Sequence, residues 1–97
     1  MKKQLLNEKS KKVANHYVIS ENGKTFLESY GSVVACINPR SKRQITLSSN
    51  WDYSNTTRKY LYIFLRQNGF GIFGINQVRE MIKQKKIITK KEASLLI

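Results

Sequence analysis

The chain holds one cysteine, one histidine and one proline in 97 residues. A single thiol, Cys36, closes no disulfide within the chain, and a reducing, cytoplasmic setting fits it. One Cys and one His complete no zinc set without several carboxylates. Carboxylates are scarce as well, six in all and scattered. Neither a metal centre nor a cofactor is therefore expected. His16 would have to serve any serine–histidine–acid triad, but no nucleophile elbow accompanies it. At the start of a strand it is expected at the surface. Long apolar runs are missing too. The longest near the middle, residues 33–37, is strand-sized and far below the roughly 18–20 residues of a membrane span. The N-terminus carries Leu5 and Leu6 but turns polar at once, so no secretory leader is expected. Gly69, Gly71 and Gly74 precede no Gly-Lys-Ser or Gly-Lys-Thr and read as a link between helices, not a phosphate loop. These absences argue against an enzyme.

What the sequence has is positive charge. Eighteen Lys and Arg face six Asp and Glu, for +12 at pH 7 and a pI near 10.1. Hydrophobic residues at 40% and charged residues at 25% still suit a folded domain, which excludes global disorder. A field of that sign draws polyanions, nucleic acid first among them. No membrane partner and no small-molecule substrate are expected.

Residues 1–14 read as a basic arm and residues 15–97 as a single α+β domain. From residue 16 to 49 the apolar period is two. Tyr17, Val18 and Ile19 lead to Asn22 and Gly23, a pair that tolerates the positive φ of a tight hairpin turn. Residues 25–30 return, residues 33–37 form a nearly all-apolar strand, and Pro39 turns the chain into residues 42–48. Four short strands with tight turns predict an antiparallel meander.

The period changes after Trp51. Leu61, Phe64 and Leu65, with Tyr60 on the flank, predict a helix over residues 56–67. Ser54 or Asn55 is placed to cap it, and Asn68, Gly69 and Phe70 to stop it. A second helix is expected with Asn76 as cap and Val78, Met81 and Ile82 buried. Thr89 and Glu92 have the form of a capping box opening a short terminal helix with Ala93, Leu95 and Leu96. The last two helices also read, less well, as a helix-turn-helix. The fold predicted is thus α+β: a four-stranded antiparallel sheet followed by two helices and a short C-terminal helix.

The most distinctive stretch runs from Trp51, Asp52, Tyr53 and Ser54 through Thr56, Thr57 and Lys59 to Phe64 and Leu65. With Ser29, Tyr30, Val33, Val34 and Ala35 before it, it resembles a pattern of small bacteriophage and mobile-element proteins. There a Ser-Tyr strand runs into W-D-Y-S-x-T-T-x-K/H-x-x-x-F-L. The resemblance covers roughly residues 25–70. It implies a phage or mobile-element origin and a bacterial host cell, and it transfers no catalytic residue. Read physically, Trp51 or Tyr53 closes the sheet while Ser54, Thr56 and Thr57 satisfy the open N–H groups of a helix start. A helix start with three hydroxyls is also an anion site, and Arg58 and Lys59 stand one turn in.

The basic residues cluster in four places. Lys9, Lys11 and Lys12 lie in the arm, and Arg40, Lys42 and Arg43 at the third turn. Arg58, Lys59 and Arg66 lie on the first helix with Tyr62 among them. Lys83, Lys85, Lys86, Lys90 and Lys91 lie near the C-terminus. Aromatic rings beside cations suit unpaired bases, and plain cations suit duplex phosphates. The reading is a non-enzymatic accessory protein that binds DNA, RNA or a nucleic-acid-loaded complex. A second reading is an anti-CRISPR-type inhibitor that blocks a host CRISPR nuclease through protein or guide-RNA contact. A third, less favoured, is a small basic ribonuclease resting on Arg58, Lys59 and Tyr62.

Overall fold

A computed structural model describes residues 1–38, 44–49, 51–52 and 54–90. In chain order the elements are β1 (Lys2–Leu6), β2 (Lys12–Glu21), β3 (Lys24–Ser29), β4 (Ser32–Asn38), β5 (Gln44–Ser48), α1 (Asn55–Gln67), α2 (Ile75–Lys83) and β6 (Ile87–Lys90). The architecture is α+β, with one sheet ordered β1-β2-β3-β4-β5-β6. Its first five strands are an antiparallel meander, and β6 joins β5 in parallel after the two helices. The sheet therefore has six strands of mixed direction, where the sequence predicts four antiparallel ones.

The two additional strands lie at the two edges. β1 runs through the segment read as a basic arm. Leu5 is its one buried residue, and Lys2 and Lys3 stay exposed. A tight turn returns the chain: Asn7 Oδ1 accepts from the backbone N–H groups of Lys9 and Lys11, and the Asn7 backbone N–H donates to the Lys11 carbonyl. At the far edge, Ile87 of β6 pairs with Ile45 and is buried. Thr89 also belongs to this strand, so no helix caps there and strand β6 separates α2 from any later helix. The remainder of the expected terminal helix, residues 91–97, lies outside the described residues.

Two tight hairpins turn through pairs of left-handed residues. Asn22 (φ 53°) and Gly23 (φ 77°) both adopt the left-handed conformation between β2 and β3. Tyr30 (φ 50°) and Gly31 do the same between β3 and β4. A tyrosine there is disfavoured by roughly 1–2 kcal/mol. Compensation comes from the Tyr30 N–H, which donates to the Asn15 carbonyl at 2.8 Å, and from its ring, which packs edge-on to His16.

Alternation then sorts each strand into two faces. Val18, Leu27, Ala35, Ile37, Ile45, Leu47 and Ile87 face the helices and join Leu61, Phe64, Leu65, Trp51 and Val78 in the main core. Phe26, Val33 and Cys36, with Ile19 beside them, form a smaller cluster on the other face. The first helix ends as expected: the N–H of Phe70 reaches the Leu65 carbonyl and that of Gly69 (φ 90°) the Arg66 carbonyl. The second helix begins slightly earlier than predicted. Gly74 is its N-cap, with no side-chain hydrogen bond, and Asn76 lies inside the helix and exposed. Among the described residues no helix is long and apolar enough to cross a membrane.

Candidate nucleic-acid interface

The start of α1 shows what its hydroxyl-rich motif does. Ser54 is the N-cap, accepting the Thr57 N–H at 3.1 Å. From there hydrogen bonds run inward: Ser54 Oγ donates to Thr57 Oγ1 (3.0 Å), which meets Ser29 Oγ (3.2 Å), which meets His16 Nε2 (2.9 Å). His16 Nδ1 lies 2.8 Å from the Ala14 carbonyl. A carbonyl only accepts, so Nδ1 carries the proton and Nε2 accepts from Ser29. Every hydroxyl then donates once in one direction. His16, Ser29 and Thr57 are all buried.

His16 is therefore not the surface residue that its strand position predicts. It has no exposure at all, and the Tyr30 and Tyr60 rings pack on it at 5.2 and 4.6 Å. Its bond to Ser29 has the spacing of a catalytic pair, but both partners are sealed from solvent and linked into a structural chain. Two of the three hydroxyls of the anion site envisaged at this helix start, those of Ser54 and Thr57, are thus engaged in the protein's own bonds, while Thr56 stays exposed. Arg58 folds back too, donating to the Asp52 carbonyl at 2.7 Å and to Asn55 Oδ1. Lys59 stays exposed, with its ammonium 5.4 Å from the Tyr60 ring centre.

The fold joins two clusters that are far apart in sequence. Glu8, in the turn that carries Lys9 and Lys11, pairs with Arg66 near the end of α1 at 2.8 Å. Gln67 Nε2 donates to the Leu6 carbonyl at 2.7 Å, fastening the same turn to the helix. Lys9, Lys11 and Lys12 are exposed around this junction. Lys83, Lys85 and Lys86 are exposed at the turn from α2 into β6, at the other end of the sheet. There Gln44 Nε2 donates to the Lys86 carbonyl, bringing the start of β5 alongside. Lys90 is exposed at the end of β6. Arg40, Lys42, Arg43 and Lys91 lie outside the described residues.

Arg66 does more than carry charge. One guanidinium nitrogen donates to the Ile72 carbonyl at 2.9 Å, another meets Glu8, and the group lies 4.7 Å from the Phe73 ring centre. Phe73 is 72% exposed. Sequence reasoning passes over it, because an aromatic between Gly71 and Gly74 reads as part of a link and belongs to no periodic stripe. Tyr62, expected among the exposed bases, packs instead against the main core.

The Tyr62 hydroxyl is buried with no hydrogen-bond partner among the described residues. Burial raises its pKa above the ordinary phenol value, partly offset by Arg58 and Arg79 and reinforced by Asp52. The folded state thus holds this proton more tightly than the unfolded chain. Its contribution is complete below the ordinary tyrosine pKa of about 10 and is lost as pH rises through the higher folded value. Tyr62→Phe is expected to gain about 1 kcal/mol at neutral pH by removing an unsatisfied hydroxyl. It should also blunt the alkaline loss of stability. Urea titrations of both proteins at neutral pH and above about pH 10 check both parts.

Two open grooves flank these surfaces. One, of about 760 Å³, runs along β1 and is lined by Lys2, Lys3, Lys12 and Tyr17 among others. The other, of about 440 Å³, lies between the link and α2, against Phe70, Ile72, Gln77 and Met81. Among the described residues no group of three or more His, Cys, Asp and Glu is placed to hold a metal ion. Cys36 is buried, and that burial pushes its thiol pKa up despite Lys24 nearby.

Comparison with curated proteins finds no match, and comparison with solved structures finds none. Residues 1–85 match the model of a family of unknown function, DUF8033, and the chain belongs to that family.

Proposed function

We propose that this protein is a non-enzymatic accessory protein of a phage or mobile element that binds nucleic acid, bare or within a nucleoprotein, through exposed lysines at the two ends of its sheet. The observation that carries the reading is the surplus of cations that the fold leaves in solvent. Lys9, Lys11 and Lys12 surround the β1–β2 turn, and Lys83, Lys85 and Lys86 surround the entry to β6. Among the described residues every one of these lysines is exposed. A chain at +12 also bears a self-repulsion that an anionic partner would relieve.

Binding of this kind releases counterions from the phosphate backbone, so affinity should fall steeply with salt. Anisotropy titrations with labelled duplex DNA, single-stranded DNA and RNA at about 50 and about 200 mM salt test this. We expect affinity to drop at least about tenfold between the two conditions. Charge reversal of Lys83, Lys85 and Lys86 together should weaken binding to every nucleic acid. It should also flatten the salt slope by roughly 0.9 for each duplex phosphate no longer neutralised. Absence of binding at low salt would overturn the reading for bare nucleic acid. Co-purification with a host nuclease would then favour the inhibitor reading.

A further inference from the structure

We infer that Phe73 is a stacking platform for an unpaired base, so that the surface formed by the β1–β2 turn, the end of α1 and the α1–α2 link takes single-stranded nucleic acid in preference to duplex. This rests on the nucleic-acid reading above and assigns it a strand type and a contact residue.

Burying a phenylalanine ring is favourable, so leaving it in water forfeits that gain. Phe73 nevertheless stays 72% exposed, while its chain neighbour Ile72 is only 2% exposed. Its position is not slack. The Phe73 N–H donates to Gln77 Oε1 at 2.7 Å, and Gln77 Nε2 donates back to the Gly71 carbonyl at 2.9 Å. From the other side Arg66 holds the Ile72 carbonyl. The link is thus pinned by a residue of each helix, and the ring is presented outward from a fixed backbone.

The surroundings choose the occupant. The Arg66 guanidinium lies over the ring at 4.7 Å and is itself tied to Glu8, one residue before Lys9. A flat π-face backed by a guanidinium, on a surface that also carries the exposed Lys9 and Lys11 of the β1–β2 turn, matches a base and its flanking phosphates. In a duplex the bases are already stacked on one another and offer such a ring no free face, whereas a single strand does. An apolar peptide would cover the ring but leave the cations unanswered.

The test uses the full chain, its Phe73→Ala and Phe73→Trp variants, and short labelled oligo-dT, oligo-U and duplex DNA. Phe73→Ala should bind the single strands about tenfold more weakly and the duplex less than about twofold more weakly. Its thermal midpoint should match the parent's, because an exposed ring adds little to folding. Phe73→Trp should keep the single-strand affinity, and its emission should be quenched on binding beyond any change from Trp51 in the parent. A preference for dT or U, with the same Phe73 dependence, supports the inference. If the parent binds strands but Phe73→Ala binds them equally well, or loses duplex affinity to the same extent, the stacking platform is overturned while the nucleic-acid reading stands. If the parent binds no nucleic acid at low salt, the stacking platform falls together with the reading for bare nucleic acid.

Discussion

His16→Ala is expected to lower the stability of this protein by about 4 kcal/mol, one of the largest effects of any single change. Two costs combine. The ring is wholly buried between Tyr30 and Tyr60, so its removal leaves a cavity. The Ser29 hydroxyl loses its acceptor inside the protein, and the part-buried Ala14 carbonyl loses its donor. His16→Phe separates the two costs. It restores the volume and leaves only the broken hydrogen bonds, at about 1–3 kcal/mol. Thr57→Val cuts the same chain of hydroxyls one link further on, between Ser54 and Ser29, at a similar cost. Because the bonds share partners, the double variant His16→Phe/Thr57→Val should cost less than the sum of the single ones. Urea unfolding of the four variants checks this, and strict additivity would show that the bonds act separately.

Phe64→Ala is expected to cost about 3–5 kcal/mol and to lower the melting temperature by roughly 20 °C. Phe64 is the largest of the fully buried side chains. It stands on the α1 face that packs against the sheet, in one cluster with Leu27, Ala35 and Leu47. A chain of this size has about 5–15 kcal/mol in all, so the loss takes a large part of it. Phe64→Leu, which keeps much of the volume, should cost only about 1 kcal/mol. Thermal melts followed by circular dichroism read both. A small effect of Phe64→Ala would mean that α1 contributes little to holding the sheet.

Between these two positions lies most of what the W-D-Y-S motif contributes. Trp51 is buried in the main core, Ser54 caps the helix, Thr57 ties it to β3, and Phe64 and Leu65 fill the interior. The packing of such a motif is legible because each role is local or periodic. A cap follows from an oxygen beside free N–H groups, and a buried stripe from the helical repeat. The hairpin at Asn22 and Gly23 is legible for the same reason, since positive φ is a property of the residues themselves.

The edges of the sheet are not legible in that way. β1 contains a single inward residue, Leu5, among lysines, and becomes a strand only because β2 offers it a ladder. β6 is four residues long and pairs in parallel with a strand that precedes it by two helices. Pairing at that separation leaves no local mark, because its free energy comes from contacts whose loop-closure cost is met elsewhere in the fold. His16 shows the same division on the scale of one residue. Composition marks it as the only histidine, but its burial depends on Ser29, Thr57 and Tyr60 arriving from other segments.

By itself, then, the sequence determined the charge, the scarcity of metal-ligating and triad-forming residues, the meander from β2 to β5, and both helices with the cap and stop of the first. Tertiary structure decided which cations share a surface, that Arg58 folds back on the start of α1, that Tyr62 turns inward, and that Phe73 turns outward. The physical reason is the range of the forces. Backbone conformation and apolar period act over a few residues and are written in order along the chain. Exposure is settled only when distant segments compete for the same interior, and a ring or a guanidinium goes wherever that competition leaves room.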